Sequence, residues 1–131
     1  MDILLDEILT AHPEIEVVQL QVNYMDWENE SIQSRKCYET ARKHGKPVIV
    51  MEPIKGGTLV KLPKEAETLL RDYDANASNA SWALRFAASH EGVMMVLSGM
   101  NSMEQLEDNI HTMKDFQPMK EEEFDGFQGW R

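Results

Sequence analysis

Cysteine is almost absent from this sequence: Cys37 is the only one among 131 residues. An internal disulfide and any cysteine-clustered zinc or iron–sulfur site within the chain are therefore excluded, and a reducing compartment fits. Basic residues are few as well, 13 against 23 acidic ones, for a formal net charge of −10. Such a charge repels nucleic-acid phosphates and anionic membrane surfaces, so neither is an expected partner. One bound phosphate remains possible, because helix N-termini and loop amides hold an anion locally. No apolar run approaches the roughly 18 residues of a membrane span. The opening Met1-Asp2-Ile3-Leu4-Leu5-Asp6-Glu7 mixes acids into its apolar residues. It lacks the basic start and apolar centre of a signal peptide, and a cytoplasmic location is expected. The four histidines, His12, His44, His90 and His111, show no spacing that would gather metal ligands.

What is present has a repeating order. Asp2 to Ala11 carries a helical apolar stripe and is followed by Pro13. Val17 to Val22 is β-branched and apolar, interrupted by Gln19 and Gln21, and reads as a buried strand. Ser31 is the expected cap of a helix that Gly45 stops. Val48 to Met51 is too short for a helix and apolar throughout, which predicts a strand covered on both faces. Helices are expected over 64–72 behind Pro63 and over 82–89, then a strand over 93–97. Ser102-Met103-Glu104-Gln105 opens a last helix with a capping pattern. Strands alternating with helices predict parallel α/β units. Three such strands are few for a complete sheet, which must either continue in another chain or belong to a larger barrel or doubly wound sheet. The charged and aromatic end, with the acid run Glu121 to Glu123, is expected to be solvated or loosely docked.

Ligands of parallel α/β folds sit at the carboxyl ends of strands. Three clusters lie there. In Gln19-Leu20-Gln21-Val22-Asn23-Tyr24, alternation points Gln19, Gln21 and Asn23 to one side, either as a ligand-facing polar lining or as amides that satisfy one another. In Met51-Glu52-Pro53-Ile54-Lys55-Gly56-Gly57-Thr58-Leu59, glycines allow close backbone approach and Lys55 adds a positive charge, although a plain loop explains them too. The third runs from Ser98 through Gly99, Met100 and Asn101 into a helix start, with Gln105, Asp108 and Asn109 following. Free amides and a helix dipole converge there, as an anion site needs; an ordinary capped helix with Asp108 and Asn109 solvated is the alternative.

In this order the clusters resemble the last three strand-to-loop segments of the aldo/keto reductase family, over roughly residues 1–118, with 119–131 as a tail. The resemblance implies an α/β fold: part of a (β/α)₈ TIM barrel with about three parallel strands and flanking helices. It assigns Gln19 to the nicotinamide carboxamide. Pro53, Ile54 and Gly57 match a Pro-Leu-Gly-x-Gly-like pyrophosphate-side loop, with Met51 where many members stack a tyrosine on nicotinamide. Ser98, Gly99, Met100 and Asn101 would hold the adenosine phosphate, and Asp108 and Asn109 would face adenine. Gln105 stands where NADP-preferring members often have arginine, so NADP and NAD both remain open as cofactor.

The family's activity is carbonyl reduction by hydride transfer from NAD(P)H, with a tyrosine proton donor tuned by a lysine, an aspartate and a histidine. Those four belong to the first half of the family's barrel, and no residue of this sequence matches them; Tyr24, Tyr38 and Tyr73 lie outside the required segment. The expectation is thus a C-terminal portion of such a reductase, carrying nucleotide contacts and inert alone. Two other classes stay open: a non-enzymatic nucleotide- or phosphate-binding module, and a half-barrel that assembles with further copies of itself as a homo-oligomer.

Overall fold

A computed structural model describes residues 1–130, and their side chains through residue 127. The chain alternates helix and strand: α1 (Asp2–Ala11), β1 (Val18–Gln21), α2 (Ser34–Lys43) and β2 (Val48–Met51). A single 3₁₀ turn (Thr58–Val60) follows, then α3 (Lys64–Tyr73), α4 (Asn79–Ala88), β3 (Val93–Val96), α5 (Met103–Lys114) and α6 (Glu121–Trp130). The three strands form one parallel sheet in the order β1-β2-β3. Val48 pairs with Val93 and Ile49 with Met95, so Met94 is an extra residue that bulges β3.

One face of the sheet is packed. Val18, Val48 and Val50 meet Leu9, Ala41, Trp82, Phe86 and Ala87 in the core. The other face lacks a covering layer within the described residues. Gln19 and Met51 are exposed there, as are Met95 and Leu97. The expectation that β2 is covered on both sides therefore fails: Val48 and Val50 are fully buried, whereas Met51 reaches solvent. A period-2 strand can bury both faces only if a second layer exists.

Two helix starts differ from the sequence reading. Ser31 does not cap α2; its amide and that of Ile32 are taken by the Asn29 side chain in a local turn. Gln33, in left-handed conformation at φ 57, precedes the helix instead. The Gln33 side chain accepts from the Asp2 amide at the start of α1, tying the two helices together. Helix α4 begins at Asn79 because Ser78 accepts from the Ser81 amide.

The expectation of a loosely held end is also corrected. Helix α6 docks through Phe127, 3% exposed, which stacks on Tyr24 at 4.3 Å. Burial of an aromatic this large outweighs the polarity of the surrounding sequence. Within the acid run expected to be solvated, Glu123 is buried and pairs with Arg85. Arg131 lies outside the described residues.

Candidate functional site

The carboxyl ends of β2 and β3 open onto two neighbouring cavities. The first, about 340 Å³, is walled by Met51, Pro53, Ile54 and Gly57 after β2 and by Leu97, Ser98 and Gly99 after β3. The second, about 580 Å³, shares Ile54, Gly57 and Gly99 with it and extends along Met100, Gln105, Asp108 and Asn109 to the start of α4. Asn101 lies beside these, on a third depression with Met100, Ser102 and Met103. Gln19 stands on the open face of β1, where its amide donates to the Met51 sulfur at 3.3 Å, next to the first cavity. All the candidate residues thus fall along one edge of the sheet. That edge is where loops following parallel strands have room to receive a ligand.

Local chemistry explains how each loop is held. Gly57 sits at φ 89 and Gly56 at φ 60, conformations open to glycine and costly for other residues. A Cβ at either Gly57 or Gly99 would meet nothing within 4 Å, so the backbone there faces open space. At the head of α5 the Ser102 hydroxyl accepts from the Gln105 amide at 3.2 Å. The Gln105 side chain reaches back to the Asn101 amide at 2.8 Å, a capping box displaced by one residue. Gln105 is therefore engaged in holding its loop. Asn109 is buried and donates to the Ser98 hydroxyl at 2.8 Å, joining α5 to the loop after β3. Asp108 accepts from Ser78 at 2.6 Å, which links α5 to the N-terminus of α4. Neither Asp108 nor Asn109 is simple solvated surface.

Three residues that the sequence reading did not single out belong to this region. Arg71 supplies the basic side chain in the wall of the larger cavity; its guanidinium donates to Asn79 at 2.6 Å and to the Ala77 carbonyl. Asp26, 1% exposed, accepts from Gln21 at 2.7 Å, from Asn23 at 2.9 Å, and from the Lys55 ammonium. Burial pushes the Asp26 carboxyl up, but hydrogen bonds from Lys55, Asn23 and Gln21 and the Lys55 charge outweigh it and hold the group below its ordinary range. Lys55 is consequently not a free phosphate-binding cation, as its sequence position suggested. Ser78 is the third, through its bond to Asp108. An acid three residues after Asn23 at a strand end is the one signal that pointed to Asp26, since Asn side chains and the residues after them form local turns.

The tyrosines are placed for packing. Tyr24 is fully buried between Phe86 and Phe127, and burial pushes its phenol well above the ordinary value. Tyr38 donates to the Glu91 carbonyl and Tyr73 to the Glu122 carbonyl, both away from the cavities.

A profile of the Aldo/keto reductase family matches residues 3–129. The chain belongs to the aldo/keto reductase family. Its architecture is similar to aldo-keto reductase AKR11C1 from Bacillus halodurans, holo form, with a TM-score of 0.68 at 20% identity over 95% of this chain and 46% of that one. The apo form of the same enzyme gives a TM-score of 0.65 at 17% identity, over 95% of this chain and 47% of that one. No curated protein sequence matches this chain. At this identity the likeness establishes the fold: three parallel strands and their helices form part of an aldo/keto reductase barrel, with the sheet not closed. The chain spans just under half the length of the solved structures it matches. No helix among the described residues is long and apolar enough to cross a membrane.

Proposed function

We propose that this chain forms the nicotinamide-dinucleotide face of an aldo/keto reductase barrel and performs no carbonyl reduction by itself. The observation that carries this reading is the pair of cavities sharing Ile54, Gly57 and Gly99, because they join the loops after β2 and β3 into one elongated cleft, with Gln19 of β1 bonded to Met51 at its end. An extended dinucleotide needs such a run of contacts; a single phosphate does not. Gln19 would meet the carboxamide, Met51 the nicotinamide ring, and Pro53, Ile54 and Gly57 the pyrophosphate side. Ser98, Gly99, Met100 and Asn101 would meet the adenosine phosphate, with Gln105, Asp108 and Asn109 around adenosine. The site fits this group in that Gly57 and Gly99 leave backbone open to close approach. When bound, the reduced form of the cofactor, NADPH or NADH, would supply a hydride.

Proton delivery to a carbonyl needs an acid near the hydride-bearing ring. Each tyrosine of this chain is instead buried in packing or donates elsewhere. The proton donor therefore comes from residues other than these. Co-expression with the N-terminal half of a family member tests this: NADPH oxidation with an aldehyde is the expected result, and a soluble complex without oxidation would overturn the reading.

The uncovered sheet face favours a second reading, association with another copy. Met51, Met95 and Leu97 are exposed together on that face, and β1 and β3 are both edge strands of the described sheet. Light scattering that finds a folded monomer at every concentration would remove it.

A further inference from the structure

The loop after β2 is held in a conformation that its sequence alone does not favour. Glu52 and Lys55 adopt φ 55 and φ 53, and Gly56 and Gly57 follow at φ 60 and φ 89. Two non-glycine residues in the left-handed region persist only where neighbours over-determine them. The neighbours here come from the loop after β1. Asn23 donates to the Glu52 carbonyl at 3.1 Å and to Asp26 at 2.9 Å, while the Lys55 ammonium closes onto the other Asp26 oxygen. Asp26 is itself fixed, its amide donating back to Asn23 at 2.9 Å and its carboxylate accepting from Gln21 at 2.7 Å.

From this arrangement we infer that Asp26 is a positioning residue: it draws Lys55 inward and so locks the 52–57 loop in the shape that walls the cofactor cleft. Both carboxylate oxygens are used, one by the amides of Gln21 and Asn23 and the other by Lys55. Asparagine offers a single acceptor, so Asp26→Asn must set a donor against a donor whichever way its amide turns. Lys55 is 38% exposed and can swing to solvent when its partner is lost, leaving the core undisturbed. The charged pair therefore acts on the loop more than on the fold. Its consequence for ligand binding rests on the cofactor-face reading above; its consequence for the loop does not.

Amide hydrogen exchange on the ligand-free protein is the first test. The amides of Lys55, Thr58 and Leu59 bond within this loop, to Glu52, Lys55 and Ile54. Asp26→Asn and Lys55→Met should each raise their exchange about tenfold, and the double variant should add little to either. Lys55→Arg, which keeps the charge, should largely restore protection. The Val48 and Leu97 amides of the sheet should not change. Unchanged exchange at the three loop amides would overturn the latch, as would equal rises throughout the sheet. Calorimetry with NADPH and with 2′,5′-ADP is the second test. Asp26→Asn should weaken NADPH about tenfold and 2′,5′-ADP, which would rest mainly on the 98–109 segment and meet this loop only at Ile54 and Gly57, by clearly less. Equal weakening of both overturns the positioning role. If the unaltered protein binds neither compound, the cofactor-face reading falls and the latch is judged by exchange alone.

Discussion

Arg85 on α4 and Glu123 on α6 pair at 3.2 Å with both side chains largely withdrawn from solvent, 15% and 9% exposed. Arg85 also donates to the Gln117 carbonyl at 2.9 Å and lies over the Trp82 ring at 4.8 Å, so one side chain gathers the chain end onto the core. Glu123→Ala leaves that guanidinium without its charge partner. A loss of about 2–4 kcal/mol in urea unfolding is expected. Unchanged stability would mean that the Arg85–Glu123 pair contributes nothing to the docking of α6.

Substitution at Gly57 separates strain from steric blocking. Gly57→Ala places a side chain at φ 89 with no atom for the new Cβ to strike. A cost of about 1–2 kcal/mol follows from the backbone alone. Thermal unfolding should show it, accompanied by weaker NADPH binding, because the same residue walls both cavities. Full stability in the variant would contradict the left-handed geometry.

Acid sensitivity should centre on His90, which stacks on Trp27 at 4.3 Å and meets Phe86 and Phe124. Burial lowers its pKa from 6.5 to about 4. The unfolded chain therefore binds a proton between pH 6.5 and 4 that the native protein refuses, and stability falls as pH drops through that window. The expected loss is roughly 3 kcal/mol at most. Asp26, whose pKa is lowered, adds its own loss only as pH falls below the ordinary 3.8 of an aspartate. Denaturant unfolding at pH 7 and 4.5 checks this: His90→Phe should flatten the difference.

Cys37 is 6% exposed, and burial pushes its thiol up. Alkylation at neutral pH should run at least about tenfold slower than for a free thiol until the protein unfolds. Rapid labelling of the native protein would contradict the packing of α2 on β1.

Much of the architecture was legible because it rests on short-range rules. Val48 to Met51 is too short for a helix and apolar throughout, which marked a strand but not its uncovered face, and the Ser102 and Gln105 pattern announced the start of α5. The features that were not legible depend on contacts distant in sequence. Asp26 finds Lys55 across 29 positions and Glu123 finds Arg85 across 38. A charge run such as Glu121 to Glu123 reads as solvated until a partner on another helix buries one member. Phe127 likewise declares its docking only once Tyr24 is placed opposite it. Placement of the candidate residues along one sheet edge follows from strand order, whereas the pairing of Asn109 with Ser98 needed the turn between them.

Calorimetric titration of the purified chain with NADPH and NADH, run beside a reductase assay on a simple aldehyde, tests the central claim most directly. Saturable binding of a reduced nicotinamide nucleotide without turnover is the predicted result. Absence of binding to either nucleotide would contradict a retained cofactor face, and turnover by this chain alone would contradict the absence of a proton donor among its residues.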